Sequence, residues 1–436
     1  MAGVAAPRKG RHAAAMRPNL QHDTALAPRL FDALRVATAD GPGVTRTAYG
    51  EGERVAHALV REEAGRIGLD ARVDHAGNLL MTLPGQDRAA PRVVLGSHLD
   101  SVPVGGNYDG AAGVLAGLAV ASGMRAAGFV PRRDLVVAAV RAEEAGAWFP
   151  TSYPGSKAAL GTLPPEALET RRQDSGRTLA DHMAAEGFDP GAVQAGVRSL
   201  DPATVAAYLE LHIEQGPVLD GAGVPVGIVT GIPGSRRFRA GRVLGEYSHS
   251  GAVPRRHRRD AAIALAELAY KLDEAWGHLE ADGHRMVCTF CVLSTTPEAG
   301  FTRIAGEAQF QLDMRSVSRG SLDALAAELH RLVPTIEARR GVTVDLGPET
   351  GSEASPMDPN IQLALHEAAE TLGIPALPMA SGGGHDAAAF AQAGVPAGML
   401  FIRNQNGSHN PHEAMRIEDF DQACRVAMRW AATACG

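Results

Sequence analysis

The stretch from Gly96 to Gly113, GSHLDSVPVGGNYDGAAG, constrains the chain most, because an apolar run there ends directly in closely spaced His and Asp residues. The run Arg92-Val93-Val94-Leu95-Gly96 is bounded by Pro91 and reads as a buried parallel strand. His98, Asp100 and Asp109 follow in a Gly-rich loop, and the Ala-rich segment from Ala111 to Ala127 reads as a helix. In an open α/β sheet, ligands gather outside the carboxyl ends of strands, where side chains can converge. Imidazole and carboxylate suit hydrolytic Zn²⁺ or Mn²⁺, so His98 and Asp109 are the seed of a candidate metal site. Asp100 is placed to accept the other ring N–H of His98 and fix its tautomer. The competing reading is a turn whose Asp caps the following helix.

A chain of 436 residues exceeds one ordinary core, so two domains are expected. Helical spacing covers Ala25–Ala37 and Gly52–Ile67; strand-like segments follow at Ala71–His75 and Asn78–Leu83, then at Asp134–Val140 and Val205–Ile213. Helical runs separate the strands, which gives a βαβ pattern and a largely parallel sheet. From about Gly227 the texture changes to a βαββαβ order, the ferredoxin-like sandwich of a small domain. After it, Gly382 to Gly436 returns to the first texture. The expected architecture is α/β: a larger, mainly parallel catalytic domain (21–228 and 347–436) with an inserted ferredoxin-like unit (229–346). Residues 1–20 read as a disordered extension, with Met16 an alternative start. The cleft between the two domains is a natural active site.

Further candidates stand at other strand ends. Glu143 and Glu144 follow DLVVAAV; on an extended chain neighbours point opposite ways, so one can bind a cation while the other faces the water to be activated. His212 and Gln215 end VAAYLELHI, and His409 lies in the exposed loop SHNP after PAGMLFIR. Each alone is an ordinary surface or core residue. Five candidate ligands at four strand ends are far harder to attribute to chance.

The ordered motifs GSHLDSVPVGGNYDGAAGV, the Glu pair, ELHIEQGPVLD, GEYSHSGAVP with RRD, LDMRS, SGGGHDA and SHNP resemble one known family. It is the amidase/hydantoinase/carbamoylase branch of the M20 metallopeptidase superfamily, which includes N-carbamoyl-L-amino acid hydrolases, allantoate amidohydrolases and β-ureidopropionases. The resemblance runs from about residue 25 to the C-terminus. It implies a di-metal exopeptidase-like fold with two divalent ions per subunit, Zn²⁺ or Mn²⁺, Co²⁺ or Ni²⁺. His98, Asp109 and His212 match the ligands of one ion; Asp109 as bridge, Glu144 and His409 match those of the second. Glu143 matches the general base. The inserted domain would be a lid and a homodimer surface from which His249 reaches the partner subunit's active site and stabilises an oxyanion, and the segment around Arg237–Tyr247 reads as an edge strand whose unpaired backbone invites a symmetric partner. Arg315 would pair with the substrate carboxylate, with Gln215, Gly384 and His385 as further substrate contacts. The SGGGHDA loop opens a helix whose N–H groups could also hold an anion. The implied reaction is hydrolysis of a linear C–N bond in a ureido or acyl amino acid. Allantoate, ureidoglycolate, β-ureidopropionate or dipeptide hydrolysis, or a metal-retaining binding protein without activity, are the alternatives.

Three departures bear on substrate choice: Glu143-Glu144-Ala145-Gly146-Ala147-Trp148-Phe149 replaces Glu-Glu-Gly-x-Arg-Phe, Pro297–Arg303 lacks the usual Asn pair, and His249–Arg255 departs from HAGTTPM. Trp148 is a candidate to reshape the pocket. The formal charge of −7 argues against nucleic-acid or anionic-membrane partners. Cys288, Cys291, Cys424 and Cys435 read as core thiols in a reducing cytoplasm.

Overall fold

The computed structural model describes residues 20–436, so the extension read into the first residues lies outside the described residues. Eight strands form the main sheet, in the order Ala376–Met379, Val226–Val229, Ala397–Ile402, Val205–Ile213, Arg92–His98, Leu135–Val140, Leu79–Leu83 and Asp70–Val73. The expected parallel character holds for the four central strands, Ala397–Ile402 to Leu135–Val140, which run the same way. The flanking pairs with Val226–Val229 and Leu79–Leu83 are antiparallel. Continuous apolar runs such as LVVAAV form central strands because both faces are covered.

Helix Ala111–Ala126 packs on Arg92–His98 and Val205–Ile213 and is itself covered by the helices Leu26–Ala37 and Ile417–Ala434. It is therefore apolar on nearly every side, unlike a surface helix with a single stripe. The helices expected at 25–37 and 52–67 occur as Leu26–Ala37 and Glu51–Ile67, the latter stopped by Gly68 in the left-handed region.

The second sheet orders Val287–Thr295, Glu307–Ser316, Gly234–Leu244 and Thr343–Asp345, with Glu349–Ser352 also paired to Gly234–Leu244. All its pairs are antiparallel. This is the βαββαβ order expected, and the sheet continues to Ser352, beyond the limit placed at 346. Period-two alternation buries Ala308, Phe310, Leu312 and Met314 beneath the helices Ala261–Ala281 and Arg319–Arg340. One expectation fails: the segment around Arg237–Tyr247, read as an edge strand open to a partner, is interior. Its two flanks are taken by strands that arrive from far along the chain. One edge of the sheet is Val287–Thr295, where Val287, Val292 and Leu293 are exposed. The core-thiol reading also fails for Cys291, which is exposed, and in part for Cys288; Cys424 and Cys435 are buried. Among the described residues no helix is long and apolar enough to cross a membrane.

Helix Glu51–Ile67 delivers Glu53 to the end of Leu135–Val140. Its Oε1 accepts the Ala142 N–H at 2.8 Å, and its Oε2 accepts from Arg141 Nη1 at 2.9 Å and the Tyr49 N–H at 2.8 Å. Burial pushes the Glu53 carboxyl up to about 7 against the pull of Arg141. The pair therefore fixes where the strand end turns more than it adds net stability. Glu53→Ala leaves these donors buried and unpaired, and is expected to lower the free energy of unfolding by about 3 kcal/mol. A denaturant midpoint close to that of the parent protein would contradict this.

Candidate metal centre and active site

The four central parallel strands deliver their carboxyl ends to one place. His98 ends Arg92–His98, His212 stands next to the end of Val205–Ile213, Glu143 and Glu144 follow Leu135–Val140, and His409 follows Ala397–Ile402. Asp109 precedes helix Ala111–Ala126, whose N-cap is Gly110 with no side-chain cap, so its carboxylate is not spent on the helix. Gly110 has a φ of 62°, and a Cβ there would lie 2.4 Å from the His98 ring. Glycine lets the imidazole sit directly beneath the turn.

His98, Asp109 and His212 bring one ligand atom each within 4.8 Å of one another, and so do Asp109, Glu144 and His409. The first set is wholly buried. His98 Nδ1 lies 3.2 Å from the Asp100 carbonyl oxygen and 3.3 Å from its Oδ1, and His212 Nδ1 lies 2.8 Å from the Ile213 carbonyl oxygen. Those oxygens only accept, so each Nδ1 carries the proton and each Nε2 presents a lone pair. The Gly110 N–H donates to His212 Nε2 at 3.2 Å, which requires the same lone pair. The two Nε2 atoms are 3.3 Å apart, and Asp109 Oδ1 is 3.5 and 3.2 Å from them. That oxygen is buried without a hydrogen-bond partner. Lone pairs converging on an unpartnered carboxylate oxygen repel one another unless a cation sits among them, so the residues fit a divalent metal.

The second set is more open, with His409 half exposed. His409 Nε2 is 2.7 Å from Glu144 Oε1 and 3.7 Å from Asp109 Oδ2. Its hydrogen bond to Glu144 raises the imidazole pKa to about 9. Asp109 Oδ2 accepts from Gln215 Nε2 at 2.7 Å and from Ser408 Oγ at 2.5 Å. Glu143 Oε2 approaches His98 Nε2 at 3.8 Å. Burial, opposed by His98 and reinforced by Glu144, Asp386 and Asp100, holds the Glu143 carboxyl well above the usual range, which suits a proton-transferring group.

Glu143 and Glu144 are not divided by strand alternation as expected. Ala142 adopts a φ of 59°, so the chain turns before them. Asp100 then accepts both backbone N–H groups, Glu143 at Oδ1 and Glu144 at Oδ2, each at 3.0 Å. Asp100 thus orients His98 and the Glu pair together. Trp148 is buried in a cluster with Ala48, Tyr49 and Phe149, and its Nε1 donates to the Ser101 carbonyl at 3.0 Å. Its indole is large and apolar enough to be drawn into that cluster, where it pins the Asp100 loop.

Arg315 lies on the small sheet, donating from Nε and Nη2 to Asp313 Oδ2 and from Nη1 to the Gly382 carbonyl at 3.3 Å. His385 is buried, 4.4 Å from His212 by ring centroids, with Nε2 3.0 Å from Ser381 Oγ. In the helix that follows, the Ala387 N–H is already taken, since Glu210 Oε2 accepts it at 2.7 Å. His249 is exposed on a two-residue strand paired with Ile304 and Arg303, and its Nδ1 accepts from the Gly251 and Ala252 N–H groups at 3.0 and 3.1 Å. Sequence reasoning missed Ser408 and Glu413. Glu413 Oε1 accepts the Tyr108 and Asp109 N–H groups at 2.8 and 3.2 Å, and its Oε2 lies 2.6 Å from Ser408 Oγ. The signal was their place in SHNPHE beside His409.

Lone pairs gathered at strand ends around a shared carboxylate, with a proton-holding glutamate in reserve, are the chemistry of a metal-dependent hydrolase. Comparison with known proteins supplies the family: the chain belongs to peptidase family M20/M25/M40, whose family model matches residues 94–433. It is 38% identical to an N-carbamoyl-L-amino acid amidohydrolase of Geobacillus stearothermophilus over 90% of this chain and 93% of that protein. It is 32% identical to an allantoate amidohydrolase of Bacillus subtilis (strain 168), over 86% and 89% respectively. Among solved structures, a hydantoinase/carbamoylase family amidase from Burkholderia ambifaria matches with a TM-score of 0.84 at 32% identity, covering 96% of this chain and 97% of that one.

A cation entering the Asp109, Glu144 and His409 set must displace the proton that Glu144 holds on His409. Affinity there is expected to rise up to about tenfold per pH unit as pH climbs toward about 9, then level off. Calorimetric titration with Mn²⁺ in two buffers of different ionisation enthalpy reads the released proton. Binding that ignores pH in this window would remove His409 from the ligands.

Proposed function

We propose that the protein is a binuclear metal-dependent amidohydrolase that hydrolyses N-carbamoyl-L-amino acids to the amino acid, ammonia and carbon dioxide. The observation that carries this reading is the sharing of Asp109 between two ligand sets with Glu143 beside them. The relatives at 38% and 33% identity named N-carbamoyl-L-amino acid amidohydrolases support the substrate class. His98, Asp109 and His212 would hold one ion, and Asp109, Glu144 and His409 the other. When bound, Zn²⁺, Mn²⁺, Co²⁺ or Ni²⁺ polarises the substrate carbonyl and acidifies water. Glu143 takes the proton of the attacking water and passes it to the departing nitrogen. Gln215, Gly384 and His385 border the substrate, and Arg315 receives its carboxylate through the planar guanidinium fork.

Allantoate hydrolysis is the second reading, favoured by the relatives at 32% and 31% identity that carry that name. Ureidoglycolate, β-ureidopropionate, N-acyl amino acids and dipeptides share the same chemistry. Product analysis on a panel of these substrates separates them: ureido groups release carbon dioxide with ammonia while acyl and peptide substrates do not, and the remaining organic product tells the ureido substrates apart. We place the action in the cytoplasm on the four free cysteines. The residues 229–346 serve in this reading as lid and dimerisation unit, and 21–228 with 347–436 as the catalytic unit.

Chelation should abolish turnover and add-back of Mn²⁺, Zn²⁺ or Co²⁺ should restore it. Glu143→Gln should keep its metal content and lose at least ~100-fold in kcat. A variant that keeps both metal and turnover would refute the general-base role, and a parent protein inactive on the whole panel would leave a binding protein instead.

A homodimer is proposed through the unpaired edge Val287–Thr295, whose Val287, Val292 and Leu293 are exposed. His249 would then complete the site of a second copy. Leu293→Lys is expected to give a monomer by light scattering and to reduce kcat with it. A parent protein that is monomeric at micromolar concentration would contradict the assembly.

A further inference from the structure

The glycine loop 382–384 meets three side chains in succession. The Gly382 carbonyl accepts from Arg315 Nη1 at 3.3 Å. A Cβ on Gly383 would lie 3.1 Å from Gln215 Oε1, and one on Gly384 would lie 1.8 Å from the Tyr153 hydroxyl oxygen. Arg315 and Gln215 are candidate substrate contacts already; Tyr153 is the third member of the same arc, and nothing in the reading so far uses it. Its backbone has φ 53° and ψ 47°, directly before Pro154. A bulky aromatic residue rarely adopts that region, and a following proline disfavours helical backbone as well. Strain of this kind persists where the surroundings hold it, and it marks functional positions. Among the described residues the hydroxyl has no hydrogen-bond partner, although the ring is fixed by the Lys157 ammonium 5.4 Å from its centroid.

We propose that Tyr153 is a further catalytic residue, whose phenol O–H donates a hydrogen bond to the carbonyl oxygen of the scissile group and strengthens it as negative charge grows there. The proposal rests on the amide-hydrolysis reading above. The position fits: Gly384 sets the hydroxyl on the same loop that meets the carboxylate-binding guanidinium, and Glu143 is the charged group acting most strongly on it. Burial first, then Glu143 and Asp386, keep the phenol protonated far above its usual range, so it is a donor at every working pH. No proton leaves it; the bond only shortens as the carbonyl becomes tetrahedral.

Tyr153→Phe keeps the ring and its contact with Lys157. With metal content equal to the parent's, kcat on an N-carbamoyl-L-amino acid should fall on the order of 10²-fold while KM changes less than about threefold. Affinity for a tetrahedral phosphinate analogue should fall by the same factor as kcat. Gly384→Ala should cost less in the Tyr153→Phe background than in the parent, because the colliding oxygen is gone. A parent that turns over the substrate with a Tyr153→Phe kcat within twofold of it would overturn the proposal and leave the functional reading standing. A fall in kcat with unchanged analogue affinity would make Tyr153 structural. A parent inactive on ureido, acyl and peptide substrates alike would overturn the functional reading and this proposal with it.

Discussion

The structure turns on one oxygen atom. Asp109 Oδ1 is buried, unpartnered, and faced by two imidazole lone pairs. An unpaired buried carboxylate oxygen is costly, and one with two imidazole lone pairs aimed at it is accounted for as part of a ligand set. The surrounding layer keeps them aimed. Asp100 and the Ile213 carbonyl take the Nδ1 protons, Glu413 holds the Asp109 backbone, and Ser408 with Gln215 holds the other carboxylate oxygen. Released from any of these, an imidazole or carboxylate would rotate to satisfy itself and the arrangement would collapse.

Parallel strands make that convergence cheap in chain length. Four strands side by side point their carboxyl ends the same way, and each needs only a short extension to reach the common point. The extensions are not relaxed. Ala142, Gln215 and His409 all have positive φ, at 59°, 65° and 60°, and each belongs to a segment that turns a site side chain inward. The cost of order 1 kcal/mol or more at each is borne by a well-filled core beneath.

This division explains what could be read in advance. Continuous apolar runs and a Gly-rich loop made the central strands and the ligand residues legible, because both depend on local pattern and on residue chemistry that admits few other uses. The hold of Glu53 on Ala142 was not legible, since it joins a helix to a strand end across the fold. Nor was the burial of Trp148, whose direction is decided by the cluster around it. The Arg237–Tyr247 segment alternates like any strand; only the arrival of Glu307–Ser316 and Thr343–Asp345 on its two sides makes it interior. Register partners and side-chain direction are tertiary outcomes, and local pattern does not contain them.

The substrate side of the cleft is built on a different principle from the metal side. Asp313 receives Arg315 at one oxygen and Arg237 Nε at the other at 3.3 Å, so two guanidinium groups and one carboxylate stand together on the small sheet with one net positive charge. Arg315 touches the main sheet's loop through a single N–H on Gly382. The candidate ligand cluster is held by hydrogen bonds arriving from several elements, while Arg315 meets the Gly382 carbonyl through one N–H. Under the proposed function, a substrate carboxylate is the group that neutralises that charge. A Cβ on Gly383 or Gly384 would lie 3.1 Å from Gln215 Oε1 or 1.8 Å from the Tyr153 hydroxyl oxygen, so bare backbone at these two positions lets those side chains sit against the loop.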